Sequence, residues 1–102
     1  MSGANAREPL VAVVTPFYNS DEYLRECIES VLDQSYSNWK YILYDNCSTD
    51  DSLSIAREYE RRDDRIEVVE AEEFVGQLAN FNRSLKHVPR DADYVKMVFA
   101  DD

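Results

Sequence analysis

Four short apolar segments, separated by three stretches with helical periodicity, constrain this chain more than any other feature. The apolar segments are residues 10–15, 39–44, 66–69 and 94–99. The first has no polar alternation, which is typical of a strand buried on both faces of a parallel sheet. We expect Pro16 to end this first strand, because proline has no backbone N–H to donate.

The segments between the strands carry apolar residues at the spacing of amphipathic helices. The predicted helices cover residues 22–34, 50–62 and 75–87, and we expect Leu78, Phe81 and Leu85 to face inward from the third. The β-α-β-α-β-α-β order predicts an α/β, Rossmann-like, three-layer fold with a mostly parallel sheet. Right-handed crossovers favour the strand order 3-2-1-4, with a switch point between the first and fourth strands.

Polar and aromatic residues follow the three strands that this order makes neighbours. Tyr18 follows the first strand, Asp45 and Asn46 follow the second, and Asp101 and Asp102 follow the fourth. Ligands of such sheets bind outside the carboxyl ends of the strands, at the switch point. A ring can stack on a base, an acid or amide can bind the base edge, and carboxylates can hold Mg²⁺ or Mn²⁺. The sequence therefore predicts a nucleotide and metal site here.

Each of these residues also has a purely structural interpretation. Tyr18 can be packed under a loop, and the polar loop of residues 45–50 suits a helix-capping segment by itself. Asp101 and Asp102 can form a solvated chain end. Their joint position at neighbouring strand ends favours the functional interpretation.

The acidic composition limits the classes of ligand. The chain has 102 residues, with 21 acidic and 11 basic side chains and a formal net charge of −10. Such a surface repels a phosphate backbone, so we expect no nucleic-acid partner. A single nucleotide stays compatible, because a divalent cation can join acidic residues to a phosphate. With two glycines, the sequence contains neither a G-x-G-x-x-G motif nor a P-loop.

The N-terminal segment lacks the apolar core of a signal peptide, and no apolar run approaches the ~20 residues of a membrane span. Residues 1–8 are predicted to be a disordered polar leader, and residues 9–102 a single folded unit. We therefore expect a cytoplasmic location for this part of the protein. Membrane association of a longer parent protein stays open.

Five short motifs occur in order along the chain. They are Pro16-Phe17-Tyr18-Asn19, residues 29–36 (ESVLDQSY), residues 45–50 (DNCSTD), residues 76–85 with Asn82, and residues 94–102. They resemble the P-x-Y-N opening, the E-S-[VI]-L-x-Q-[ST]-[YF] helix end, the D-[DN]-x-S-x-D loop, the Gly-to-Asn helix and the D-x-D strand of family 2 glycosyltransferases. One such match is weak, whereas five in the family's order and spacing are specific.

This resemblance implies a GT-A fold and a nucleotide-diphosphate-sugar donor based on UDP, dTDP or GDP. The implied nucleotide-binding residues are Pro16, Tyr18, Asn19, Asp45, Asn46, Asn82 and Asp101, and the implied ligands of a Mn²⁺ or Mg²⁺ ion are Asp101 and Asp102. Two positions depart from the family pattern. Phe99 stands where the first Asp of D-x-D usually lies, so the metal would rest mainly on Asp101. Phe81 stands where an Arg often lies, which puts one pyrophosphate contact in question.

The resemblance also implies inverting transfer, in which an acceptor hydroxyl attacks the anomeric carbon with the help of a general base. The family's base and acceptor-binding residues follow D-x-D. Residues 9–102 are therefore interpreted as the nucleotide-sugar-binding half of a truncated GT-A domain, and we expect this piece alone to be inactive. The sugar and the acceptor stay open. The uncovered last strand predicts an exposed apolar edge, through which the chain would form a homodimer.

Two other functions fit the same fold. A non-catalytic interaction module would keep the fold without the chemistry, and Phe99 in place of an acid favours it. A receiver domain of a signalling system is also small, acidic and Mg²⁺-dependent, but it needs an acidic pair at the end of the first strand. That position here holds Pro16-Phe17-Tyr18-Asn19, which argues against a receiver domain.

Overall fold

The computed structural model describes residues 8–100 and contains the seven predicted elements in the predicted order. The strands are β1 (Val11–Phe17), β2 (Trp39–Asp45), β3 (Ile66–Glu70) and β4 (Tyr94–Met97). The helices are α1 (Leu24–Leu32), α2 (Ser52–Arg62) and α3 (Gln77–Leu85). The predicted leader, apart from Glu8, and the candidate metal ligands Asp101 and Asp102 lie outside the described residues.

The four strands form one parallel sheet in the order β3-β2-β1-β4, which confirms the predicted topology. β1 pairs along its whole length with β2, and it pairs with β4 from Val11↔Tyr94 to Val14↔Met97. Residues 12–15 of β1 are completely buried, as expected for a strand covered on both faces. Because β2 and β3 lie on one side of β1 and β4 on the other, the switch point lies between β1 and β4.

The prediction that Pro16 ends the first strand is wrong, because β1 continues to Phe17. The Val98 N–H donates to the Val14 carbonyl, and the Asn46 N–H donates to the Phe17 carbonyl. The backbone N–H and C=O groups of even-numbered residues in β1 therefore point toward β4, and those of odd-numbered residues point toward β2. The paired ladder with β4 ends at Val14. Pro16 thus lacks its N–H at a position where the ladder needs no donor.

Helices α1 and α2 cover one face of the sheet, and α3 covers the other. The predicted apolar face of α1 is buried, and it consists of Leu24, Cys27, Ile28 and Val31. Ala56 and Tyr59 of α2 join the same core cluster. On the opposite face, His87 follows α3 and packs its ring against Tyr44, with 5.4 Å between ring centroids. Among residues 8–100, no helix is both long and apolar enough to span a bilayer.

The predicted inner face of α3 is wrong by one residue. Leu78, which the periodicity placed inward, is 74% exposed, and the buried residues of α3 are Asn80 and Ser84. The observed inner face thus lies one position before the predicted Phe81 and Leu85, a rotation of roughly 100° about the helix axis. The reason is tertiary, since α3 packs against β1 beside a cleft, and residues that face a cleft need not be apolar.

Strand β4 lies at the edge of the sheet and exposes apolar side chains. Tyr94 is 63% exposed and Val95 is 48% exposed. Phe99, which follows the strand, is exposed by a similar fraction. The edge therefore has the character that self-association through it requires, and the homodimer stays a prediction.

Glu60 joins α2 to the outer strand β3 through charged hydrogen bonds. Its carboxylate accepts hydrogen bonds from the Val68 N–H and from Arg57 Nη1, each at 2.8 Å. The Arg65 carbonyl accepts a hydrogen bond from β2, and backbone groups alternate in direction along a strand. The N–H of Val68, three positions later, therefore points to the side of β3 away from β2, where the sheet has no further strand. Burial alone would raise the pKa of Glu60, but the two hydrogen bonds and the charges of Arg57 and Arg61 together outweigh burial and hold the pKa below its ordinary value.

Replacing Glu60 with Ala should destabilise the fold, because the Val68 N–H loses its acceptor. We expect the free energy of unfolding at pH 7 to fall by ~1.5 kcal/mol, as for a hydrogen bond to a charged group. Since folding lowers the pKa of Glu60, its contribution is fully present above the ordinary Glu value of about 4.3. It should disappear as the pH falls through the lower folded value. Urea unfolding across this pH range measures both effects.

Glu67→Ala is the matched control, because Glu67 lies on the same strand with an exposed side chain. We expect this substitution to leave the free energy of unfolding nearly unchanged. An equal loss in both variants, or a loss in Glu60→Ala that does not vary with pH, would contradict the role given to Glu60.

Candidate functional site

A cleft of about 660 Å³ opens at the carboxyl ends of the strands. Four parts of the chain line it: the end of β1 with the loop that follows, Asn46 directly after β2, the segment of residues 74–81 that leads into α3, and Phe99 with Ala100 after β4. These parts meet at the switch point between β1 and β4. The cleft thus lies where parallel α/β sheets bind their ligands.

Two pairs of aromatic rings form much of the cleft wall. The rings of Tyr18 and Phe74 are 4.7 Å apart between centroids and tilted by 57°. The rings of Phe81 and Phe99 stack at 6.2 Å with 15° between their planes. Tyr18, Phe74 and Phe99 each expose about half of their surface. Exposed, paired rings in a concave surface offer flat apolar contacts to a planar ligand.

Phe81 and Phe99 are also the two positions where the sequence departs from the family pattern. An Arg and an Asp were expected there, and the structure brings the two phenylalanines into contact with each other. The cleft therefore has one stacked apolar contact where the resemblance implied two charged groups. Within the described part of the cleft, no lining residue is an acid or a base other than Tyr18.

Three of the residues implied for nucleotide binding, Pro16, Tyr18 and Asn46, line the cleft. Both polar atoms of the Asn46 side chain nevertheless form hydrogen bonds within the protein. Its Nδ2 donates to the Val75 carbonyl at 2.8 Å, and its Oδ1 accepts from the Val75 N–H at 3.0 Å. This two-way bond fixes the segment that carries Phe74, so Asn46 shapes the cleft wall.

Asp45 does not line the cleft. It is 2% exposed, and its Oδ1 accepts a hydrogen bond from the Ser48 N–H at 2.9 Å. Cys47 between them has a φ of 64°, in the left-handed region that a non-glycine residue rarely adopts. Asp45 therefore closes the turn after β2, which is the structural interpretation that the sequence left open for this loop.

Asn19 joins the loop after β1 to the loop after β2. Its φ is 47°, and Asn is one of the few residues that tolerate this left-handed conformation. Its Oδ1 accepts from the Thr49 N–H at 2.7 Å, and its own N–H donates to Ser48 Oγ at 2.9 Å. Asn19 thus holds two strand-end loops together and does not line the cleft.

The structure brings Asn80, and not Asn82, to the cleft. Asn82 is exposed and lies outside the lining residues, whereas Asn80 is 5% exposed and lines the cleft. Sequence reasoning missed Asn80 because apolar periodicity marks inner faces, and Asn80 is polar. The available signal was its four-residue spacing from Gly76 and from Ser84, which puts all three on one side of the helix.

The candidate metal ligands Asp101 and Asp102 lie outside residues 8–100, which the structure describes. Within those residues there is no group of three or more His, Cys, Asp or Glu side chains that could hold a metal ion. Ala100, directly before Asp101, lines the cleft and is 4% exposed. The chain therefore reaches the cleft one residue before the first candidate ligand.

Comparison with known sequences identifies the family. Residues 12–102 match the family described as Glycosyl transferase family 2. The putative teichuronic acid biosynthesis glycosyltransferase TuaG of Bacillus subtilis (strain 168) is 41% identical over 95 residues, which cover 93% of this chain and 37% of TuaG. Glycosyltransferase GlyG of Streptococcus pneumoniae serotype 4 is 36% identical over 93 residues, which cover 91% of this chain and 30% of GlyG. The chain thus spans about a third of the length of these relatives.

Solved structures share the fold. Staphylococcus aureus TarS (1–349) superimposes with a TM-score of 0.77 at 26% identity, over 93% of this chain and 28% of that one. Mannosyltransferase PcManGT from Pyrobaculum calidifontis, in complex with GDP-Man and Mn²⁺, superimposes with a TM-score of 0.72 at 25% identity, over 81% of this chain and 25% of that one. These neighbours confirm the predicted GT-A fold. With the family match over residues 12–102, they establish that the chain belongs to glycosyl transferase family 2.

Proposed function

We propose that this chain is the donor-binding part of a glycosyltransferase that uses a nucleotide-diphosphate sugar. The observation that carries the proposal is the cleft at the switch point, with the exposed rings of Tyr18 and Phe74 in its wall. TarS, which has a similar fold, has been solved in complex with UDP and with UDP-GlcNAc. PcManGT has been solved in complex with GDP-Man and Mn²⁺. We extend nucleotide-sugar binding from these proteins to this cleft.

The base of the donor is proposed to lie against Tyr18. The ring is 43% exposed in the cleft and is supported on one side by Phe74, so it can offer a free face. Stacking of a base on an aromatic side chain contributes about 1 to 3 kcal/mol. Because stacking accepts every base, this contact supports nucleotide binding and leaves UDP, dTDP and GDP as candidate nucleotides.

The diphosphate is proposed to be neutralised by a divalent cation on Asp101 and Asp102. No lysine, arginine or histidine lines the described part of the cleft, and the net charge of the chain is −10. A diphosphate in such a site needs a positive charge from elsewhere. Mg²⁺ or Mn²⁺, which bind carboxylate oxygens, would supply it and stabilise the diphosphate as it leaves.

The proposed reaction is inverting transfer to an acceptor hydroxyl, and its general base is proposed to lie beyond the region of similarity. The described lining residues include no His, Asp, Glu, Lys or Cys, the side chains that most often act as a general base. The relatives are roughly three times as long as this chain. Their remaining length is the proposed source of the base and of acceptor binding.

A non-catalytic interaction module is the second candidate function. The stacked pair of Phe81 and Phe99 favours it, because these rings stand where charged residues were expected to serve the diphosphate and metal. Nucleotide binding separates the two functions. The match to glycosyl transferase family 2 over residues 12–102 argues against the receiver-domain hypothesis, and uptake of phosphate from acetyl phosphate would revive it.

Calorimetric titration of UDP should detect binding that requires Mn²⁺, because the cation must bridge the diphosphate to the acidic pair. Titrations of GDP and dTDP in the same buffer select the base. Asp101→Ala should abolish the effect of Mn²⁺, and Asp91→Ala, in the exposed turn before β4, should not. Equal affinity with and without Mn²⁺ would contradict the metal assignment. Absence of binding to all three nucleotides would favour the interaction module.

Tyr18→Ala should weaken UDP binding about tenfold, since loss of one stacking contact costs ~1 to 3 kcal/mol. Tyr94→Ala is the control, because Tyr94 is an exposed tyrosine outside the cleft. The dissociation constants of the two variants and the unaltered chain decide the point. Equal weakening in both variants would show that the loss does not arise from stacking in the cleft.

The purified 102-residue chain should transfer no sugar to water or to polysaccharide, lipid-linked or peptide acceptors, because its described cleft has no suitable general base. A longer form that includes the additional length of the relatives should be active. Release of UDP from UDP-sugars with Mn²⁺ provides the measurement. Turnover by the 102-residue chain would overturn this expectation.

A further inference from the structure

Asn80 carries the one buried polar side-chain atom that lacks a hydrogen-bond partner among residues 8–100. The residue is 5% exposed, and the orphaned atom is its carboxamide oxygen Oδ1. A buried acceptor without a partner weakens a fold, and such groups are rare in folded proteins. The position therefore needs an explanation other than stability.

The other buried polar residues around the cleft are satisfied by the protein. Asn46 exchanges two hydrogen bonds with Val75, and Ser84, on the same face of α3 as Asn80, donates to the Phe81 carbonyl at 2.7 Å. Asn80 Oδ1 ties no loop and caps no helix. What distinguishes Asn80 is its position in the cleft wall, next to Phe81 of the stacked aromatic pair.

We propose that Asn80 is a specificity-determining residue of the donor site, and that its carboxamide oxygen accepts a hydrogen bond from the nucleoside part of the bound donor. This inference rests on the proposed function. An apolar cleft with a few polar groups binds planar ligands by their faces and selects them by their polar edges. Rotation of the carboxamide about its last torsion exchanges oxygen and nitrogen without changing its shape, so the acceptor can be presented to the cleft.

The nucleoside of UDP offers two kinds of donor, the base N3–H and the 2′ and 3′ hydroxyls of the ribose. A hydrogen bond from either kind to the Asn80 oxygen would be lost in Asn80→Ala. A group that waits for a ligand is also expected to contribute nothing to the stability of the ligand-free chain, in contrast to a structural asparagine such as Asn46.

The experiment compares Asn80→Ala with Asn38→Ala, an asparagine directly before β2, outside the cleft and at the opposite ends of the strands. Thermal unfolding of the ligand-free protein should give Asn80→Ala a Tm no lower than that of the unaltered chain. Calorimetric titration with UDP and Mn²⁺ should show a Kd about tenfold higher for Asn80→Ala and an unchanged Kd for Asn38→Ala. Asn80→Leu, of similar size and without polar atoms, repeats the test should Ala disturb packing.

Two UDP analogues identify the donor group. With N3-methyl-UDP, which has no base N–H, the difference between the unaltered chain and Asn80→Ala should vanish when the base is the partner. With 2′,3′-dideoxy-UDP, which has neither ribose hydroxyl, it should vanish when a ribose hydroxyl is the partner. A difference that persists with both analogues would overturn the assignment to the nucleoside.

The outcomes separate this inference from the proposed function. When the unaltered chain binds UDP and both Asn80 variants bind UDP with the same Kd as the unaltered chain, the inference fails and the proposed function stands. Lower Tm values in both Asn80 variants with unchanged Kd would make Asn80 a structural residue. When the unaltered chain binds none of UDP, GDP and dTDP, both the proposed function and this inference are rejected for this chain.

Discussion

The buried pairing of β1 with its two neighbours is the interaction on which the rest of this structure depends. Residues 12–15 are completely buried, and β1 bonds to β2 on one side and β4 on the other. Parallel pairing brings the ends of these three strands to one edge of the sheet. The connections from β1 to β2 and from β2 to β3 run to one side of β1, whereas the connection to β4 runs to the other side. The cleft exists because these opposite connections leave a gap between the ends of β1 and β4.

The residues at this edge serve the architecture of the cleft as much as its chemistry. Asn19 joins two strand-end loops, Asp45 closes the turn after β2, and Asn46 fixes the segment that carries Phe74. The structural and functional interpretations of this polar loop are therefore compatible. Loss of ligand binding on substitution of Asn46 would report a displaced cleft wall as well as any lost contact, whereas Tyr18 presents its ring directly.

The aromatic character of the cleft has an electrostatic consequence. Phe81 and Phe99 stack where an Arg and an Asp were expected, so the described cleft holds neither a cation for a diphosphate nor a carboxylate for a metal. Binding of a nucleotide diphosphate would then depend on Asp101, Asp102 and a bound cation more strongly than in a cleft with a lining arginine. Selection among nucleosides would fall to neutral groups, because a neutral amide can distinguish hydrogen-bond donors without attracting charge.

The sequence by itself determined the order of the seven elements, the parallel sheet with β1 buried inside it, and the family. These follow from hydrophobic periodicity and short motifs, which are local properties of the chain. Only the tertiary structure decided that β1 continues through Pro16, that α3 turns Asn80 inward instead of Leu78, and that Asn19 and Asn46 hold loops together. Helix rotation depends on packing against the sheet, and the need for a hydrogen-bond donor depends on where a neighbouring strand ends. Both are set by contacts between residues distant in sequence, which no local pattern records.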